Sequence, residues 1–323
     1  MMRLPPFARL APRTLAEAVE MLADQGPGAA VVAGGTDLYP NMKRRQVEHH
    51  ALVDLRAVEG MRGIREEPGG GISIGATTRL SHLAGSSAVP RALAHAASVI
   101  ASPQIRNMGT VGGNLCLDTR CSWYNEPEDW RTAVGFCLKA AGDVCRVAPA
   151  KSHCWAVASS DLPPVAIALG ASVRAVGPGG ERTFPVADLY RDDGIDHLAL
   201  LPGEIVAELL VPPVDGLRVT YRKIRRRGSI DFPELGVAAS VRLAPEGICE
   251  AATIVLGSVA SAPVRCREAE DLLAGRPLTP EVIEEAAAAA AHPAKPQDNT
   301  DLSHVYRKWV IPIHVSRALQ SLS

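Results

Sequence analysis

The chain has 323 residues, 47% hydrophobic and 21% charged, with a net charge of -1, which is ordinary globular composition for two or three modest domains. Near-neutrality gives no global electrostatic case for nucleic acid or an anionic membrane, and 4% aromatic residues argue against a base-stacking surface. No stretch approaches the ~20 apolar residues of a membrane span, and Met1-Met2-Arg3-Leu4-Pro5-Pro6 lacks a secretory apolar run, so a cytoplasmic location is expected.

Thr14-Leu15-Ala16-Glu17 reads as a capping box opening a helix, and Leu15, Ala18, Val19 and Leu22 then recur at helical spacing until Gly26-Pro27-Gly28. Ala29 to Ala33 reads as a buried strand that runs straight into Gly34-Gly35-Thr36-Asp37-Leu38. Further strands are expected at Ala51 to Leu55 and Gly71 to Ala76, with a helix beginning at Leu80 to Leu83. This opening third alternates strand and helix, as an α/β or α+β unit does. From Asn114 to Asp161 no period is sustained, and a segment of that length is functional, disordered or held by something. Val165 to Leu169 and Ser172 to Val176 read as two strands around Gly170. Val211-Pro212-Pro213-Val214 reads as a domain junction. Strands follow near Val219 to Tyr221, Val237 to Leu243 and Ala252 to Leu256, and Thr279-Pro280-Glu281 opens a helix that takes in the alanines from 286 to 291.

Two glycine-rich loops stand out, Gly34-Gly35-Thr36-Asp37 and Gly109-Thr110-Val111-Gly112-Gly113-Asn114. Glycine lets a backbone approach a ligand closely, and successive amides can form a nest for phosphate oxygens. Neither is a Walker motif or a G-x-G-x-x-G fingerprint, and either alone is equally a tight turn. Together they point to a pyrophosphate-containing cofactor.

Cysteines are the second signal. Five of the seven, Cys116, Cys121, Cys137, Cys145 and Cys154, fall in the irregular segment, and from 121 onward they run C-x15-C-x7-C-x8-C. In a reducing compartment these are not structural disulfides. The spacing is neither a zinc ribbon nor a ferredoxin. From spacing alone a metal centre, iron–sulfur or zinc, and a set of packed thiols all stay open.

Ala33 to Leu38 and Ile105 to Leu115 resemble the paired signatures of the flavin subunits of the xanthine dehydrogenase and carbon monoxide dehydrogenase family. Ile74-Gly75-Ala76-Thr77-Thr78, Tyr221-Arg222-Lys223 and Tyr306-Arg307 fit the same family, so the likeness spans essentially the whole chain. It implies an α+β protein with the two-part FAD-binding fold of vanillyl-alcohol oxidase and p-cresol methylhydroxylase. The expected domains are residues 1–214 for FAD and 215–323 for a C-terminal α+β domain. For FAD the resemblance implies Val31, Val32, Ala33, Gly34, Gly35, Thr36, Asp37 and Leu38 on the pyrophosphate and ribityl chain. Thr110, Gly113 and Asn114 would lie on the other side, with Thr77 and Val206 also in contact. Asp161 would meet the adenosine end, and Lys223, in the basic run Arg222 to Arg227, the isoalloxazine carbonyls.

Residues 116–160 are an insertion where most of that family passes directly from the glycine-asparagine loop to the aspartate. The insertion resembles the cluster-bearing loop of the β subunit of 4-hydroxybenzoyl-CoA reductase, which implies Cys121, Cys137, Cys145 and Cys154 as ligands of a [4Fe-4S] cluster. Cys116, Cys249 and Cys266 are expected to be packed thiols. No catalytic residue is expected here. The resemblance implies a relay from ferredoxin through the cluster and FAD to a small [2Fe-2S] subunit and a large molybdenum-cofactor subunit, in a dimer of heterotrimers that removes the phenolic hydroxyl of 4-hydroxybenzoyl-CoA. The alternative is the flavin subunit of an outward-running molybdenum hydroxylase. A self-contained flavin oxidase and a zinc-stabilised assembly subunit are weaker rivals, since no substrate base is visible, His49, His50 and His153 read as solvent-facing, and the glycine loops need a ligand.

Overall fold

A computed structural model describes residues 3–323; Met1 and Met2, read above as part of a start without a leader, lie outside them. The described residues form three sheets. The first is parallel, in the order β1–β3–β2, from Ala8–Leu10 (β1), Ala29–Val32 (β2) and Ala51–Asp54 (β3). Its connecting helix, Leu15–Gln25, starts at the expected capping box, with the Thr14 hydroxyl and the Glu17 carboxylate satisfying each other's backbone amides.

The second sheet is antiparallel, from Ile64–Glu66 (β4), Ile72–Gly75 (β5), Ser172–Gly177 (β6), Gly180–Pro185 (β7) and Ile205–Val211 (β8), in the order β4–β5–β8–β6–β7. The third follows the junction: Leu217–Ile224 (β9), Leu235–Leu243 (β10), Cys249–Gly257 (β11) and Val264–Arg265 (β12), with β9 at one edge. It is covered on both faces. Leu235, Val237, Ala239 and Val241 pack against the helices Arg267–Leu273, Pro280–Ala289 and Ile311–Gln320, while Tyr221, Ala238 and Val255 join the core of the first two sheets. That two-sided burial is why β10 reads as a continuous apolar run rather than an alternation.

One expected strand is a helix. Val165 to Ala168 lie in the helix Leu162–Ala168, and Leu169 caps its end. A short apolar run buried all round carries no period to separate strand from helix. Pro163 at the first turn presets helical φ, and the helix lies between the first core and the third sheet, with Ser240 donating to the Ala168 carbonyl.

The irregular segment is a lobe with its own small core of Cys121, Tyr124, Cys154 and Ala156, flanked by Trp123, Cys137, Leu138, Ala140 and Val147. Its two ends meet: Ser160 donates to the Asn114 carbonyl, the Asn114 side chain accepts from the Leu162 amide at 3.1 Å, and Arg120 bridges to Val157. No helix among the described residues is long and apolar enough to cross a membrane.

Candidate functional site

The first glycine loop leaves β2 at the end of the parallel sheet. Gly35 holds φ +67°, and a Cβ there would stand 2.3 Å from the Tyr39 ring, so both backbone and space demand glycine. At Gly34 a Cβ would stand 2.2 Å from the Met108 carbonyl oxygen and 2.9 Å from Gly109 Cα. The two glycine loops, 75 residues apart in the numbering of Gly34 and Gly109, therefore lie backbone against backbone. Among the described residues the amides of Gly34, Gly35, Thr36 and Asp37 donate to no protein acceptor, while the Gly35 and Asp37 carbonyls accept from Tyr39 and Asn41. Four successive unengaged amides are the donor set that phosphate oxygens take.

The second loop is engaged mostly within the chain. Thr110 caps the short helix Val111–Leu115 by accepting from the Gly113 amide, and the Asn114 side chain holds the neck of the lobe. A Cβ on Gly112 would collide with Ala76 at 2.7 Å, whereas one on Gly113 meets only the Thr110 hydroxyl, at 3.0 Å. Gly113 is the open position. Thr77 is buried with its hydroxyl bonded to the Met61 carbonyl, and Val206 lies in β8 in the first core.

Asp161 and Lys223 form a buried ion pair at 2.9 Å, completed by Tyr221 donating to Asp161 at 2.8 Å and Lys223 donating to the Val99 carbonyl. Burial pushes the carboxyl up and the ammonium down, each against the attraction of its partner. The sequence reading sets Asp161 at the adenosine end and Lys223 at the flavin ring. In the structure these two side chains contact each other directly, so the two expected cofactor contacts lie at one place.

Cys121, Cys137, Cys145 and Cys154 line one pocket in the lobe, and Cys121, Cys145 and Cys154 are buried. Cys116 lies outside it, and Cys249 and Cys266 sit in the C-terminal core. Burial raises the Cys121 thiol to about 11 and the Cys154 thiol to about 12. The pocket holds about 10 Å³ of free space, and among the described residues no three His, Cys, Asp or Glu stand together in a way that holds a single ion. The donor chemistry fits a thiolate-bound group, but the side chains must spread to admit one. Two cations border the pocket. Lys139, 7% exposed, donates to Asp118, Thr119 and the Gly194 carbonyl, and Arg146 donates to the Phe136 carbonyl.

The lobe grips the first glycine loop. Arg120, next to Cys121, pairs with Asp37 and donates to the Asn41 side chain at 3.2 Å. Tyr124 and Gln46 exchange hydrogen bonds at 2.7 and 2.8 Å, and Arg131 donates to the Arg44 carbonyl at 3.0 Å. Sequence reasoning missed Arg120, Lys139, Tyr124 and Gln46. Only the position of Arg120 beside a candidate ligand hinted at a role.

Residues 5–214 match the family described as FAD binding domain in molybdopterin dehydrogenase, and residues 219–322 match the CO dehydrogenase flavoprotein C-terminal domain. The chain is 32% identical to the 6-hydroxypseudooxynicotine dehydrogenase complex subunit alpha of Paenarthrobacter nicotinovorans, over 98% of this chain and 95% of that one. It is 31% identical to the carbon monoxide dehydrogenase medium chain of Afipia carboxidovorans, over 96% and 94%. Its fold superposes on the crystal structure of a cyanide-inactivated Cu,Mo-CO dehydrogenase with a TM-score of 0.82 at 29% identity, covering 99% of both chains.

Proposed function

We propose, from the premise that this chain belongs to the family of FAD-binding medium subunits of molybdenum hydroxylases, that it is the flavin relay of such a complex and carries a second redox centre in its cysteine lobe. FAD supplies the exchange between two-electron and one-electron transfer. The unengaged amides of residues 34–37 would hold its pyrophosphate, Gly113 leaves room beside them, and the paired Asp161 and Lys223 would contact the cofactor as well. Large molybdenum-cofactor and small [2Fe-2S] subunits would complete the complex and supply the substrate chemistry, as the family membership supports.

The observation that carries the second centre is the convergence of Cys121, Cys137, Cys145 and Cys154 on one pocket, in a lobe that Arg120 clamps to the flavin loop. A [4Fe-4S] cluster would supply one-electron transfer there, held by those thiolates. Lys139 and Arg146 would offset its negative charge. Iron and acid-labile sulfide in the purified protein should each approach about four per chain. Serine at any of the four cysteines should remove the low-temperature paramagnetic signal of the reduced protein, and serine at Cys116, Cys249 or Cys266 should spare it. Stoichiometric zinc without iron would sink the assignment.

Two readings of the complex's reaction stand. The likeness of the insertion to the β subunit of 4-hydroxybenzoyl-CoA reductase supports inward flow, from reduced ferredoxin to molybdenum, with reductive dehydroxylation of 4-hydroxybenzoyl-CoA. The relatives named as dehydrogenases support outward flow from another substrate. Turnover of the purified complex decides between them. Benzoyl-CoA formation with a low-potential donor supports the first, and substrate-dependent reduction of an external acceptor supports the second.

A further inference from the structure

A second polar cavity, of about 240 Å³, lies at the edge of the third sheet and is lined by His95, Tyr221, Arg222, Lys223 and His314. Tyr221 and Lys223 also hold Asp161, while His95, Arg222 and His314 belong neither to that pair nor to the glycine loops or the cysteine lobe. His95 comes from the helix Arg91–Ser98, which packs on β9 from the FAD-binding side, and His314 from Ile311–Gln320 on the opposite face. The cavity therefore wraps the edge strand where the two domains join.

Its charges are unbalanced. The other members of the basic run are engaged: Lys223 with Asp161, Arg225 with the Val99 and Gly228 carbonyls, Arg226 with Asp301, and Arg227 with Asp231. Arg222 is the exception. Its Nε is buried without a hydrogen-bond partner among the described residues, as is Nδ1 of His314, and no carboxylate lines the cavity. Burial and then the positive charges of Arg222 and Arg317 lower the His314 titration. A buried donor left without a partner has lost its hydration and gained nothing in return, so such groups are ordinarily satisfied by something.

We propose that this cavity is an oxyanion site in which Arg222, His314 and His95 hold the phosphate or carboxylate group of a small organic anion. A planar guanidinium presents paired N–H donors suited to either group. One water needs only ~10–15 Å³ of such space, so this open cavity has room for more than the anionic head alone.

The test uses the purified flavin-loaded protein with inorganic phosphate and acetate as probes, against chloride at equal ionic strength. In the unmodified protein, phosphate, acetate or both should raise the thermal midpoint in a saturable way and give a measurable Kd by calorimetry. Whichever probe binds more tightly identifies the head group. Arg222→Gln should weaken binding at least tenfold, His314→Gln should weaken it as well, and Lys308→Gln, a surface charge elsewhere, should not. Flavin absorbance should be unchanged in all three. No saturable response in the unmodified protein, or equal responses with and without Arg222, would overturn the site. So would release of flavin from Arg222→Gln, which would make the cavity part of the flavin pocket. If Arg222→Gln does not fold, His314→Gln and His95→Gln carry the same comparison.

Discussion

Arg120 joins the lobe to the glycine loop through its ion pair with Asp37. It stays cationic at neutral pH, although burial lowers it to about 10, and it pairs with an Asp37 side chain that is only 24% exposed. Removing one partner of a fully buried pair costs about 3–5 kcal/mol; partial exposure reduces that, and about 1–2 kcal/mol is expected here. Arg120→Gln would leave the Asp37 carboxylate without its cation beside the unengaged amides of residues 34–37. FAD affinity should fall roughly tenfold or more, read from flavin fluorescence on dilution. Unchanged affinity would show that the clamp does not support the flavin loop. A second residue, Asp54 of β3, ties that strand to β1 through Arg9 and also pairs with Arg56 in the turn that follows it. Burial pushes its carboxyl up, but the Arg56 and Arg9 hydrogen bonds outweigh this and hold it at about 2. A carboxylate depressed in the folded state contributes stability above its unfolded pKa of about 4 and loses it as pH falls toward the folded value. Asp54→Asn should therefore flatten the acid side of the stability profile between about pH 4 and 2, measured by urea unfolding at stepped pH. An unaltered profile would place the acid sensitivity elsewhere.

Among the elements, the lobe is the one whose removal is informative. Its ends are hydrogen-bonded through Asn114, Ser160 and Leu162, so residues 117–158 can be replaced by a short glycine-containing linker without stretching the chain. Loop closure there changes entropy only logarithmically with length. The deletion also removes Arg120, Tyr124 and Arg131, which hold residues 37–46. The expected product is folded, with unchanged near-ultraviolet dichroism from the rest of the chain, lacks iron and retains FAD more weakly. A chain that fails to fold would make the lobe part of the core. The other element that repays attention is the helix Leu162–Ala168. It is buried between two domains, carries Asp161 at its start, and places that carboxylate against Tyr221 and Lys223 of the edge strand.

For the whole molecule, the shared core sets how the domains unfold. Tyr221, Ala238 and Val255 of the third sheet belong to the same hydrophobic cluster as Val53, Ile74 and Leu209 of the first two. Domains joined by small polar interfaces unfold separately, whereas a continuous apolar core couples them. Calorimetry of the FAD-loaded chain should therefore show a single endotherm, apart from any earlier melting of the lobe. Two well-separated transitions that divide near residue 215 would show that the interface contributes little.

Several features were legible from the residues alone because each is written in a short window. The capping box at Thr14, the N-cap at Thr279, the strand running into Gly34-Gly35 (half-buried except at Val32, not fully buried as expected) and the crowding of cysteines between 116 and 154 all depend on neighbours a few positions apart. Turn chemistry and side-chain period are properties of the local chain. The fold had to bring together what lies far apart. Arg120 finds Asp37, Tyr124 finds Gln46, Lys223 finds Asp161, and Arg222 faces His95 and His314 only because the helices of two domains close on either side of β9. The same distance explains the misread helix at 162–168. Burial on all sides removes the alternation that would have identified it, and that burial is a property of the packed sheets.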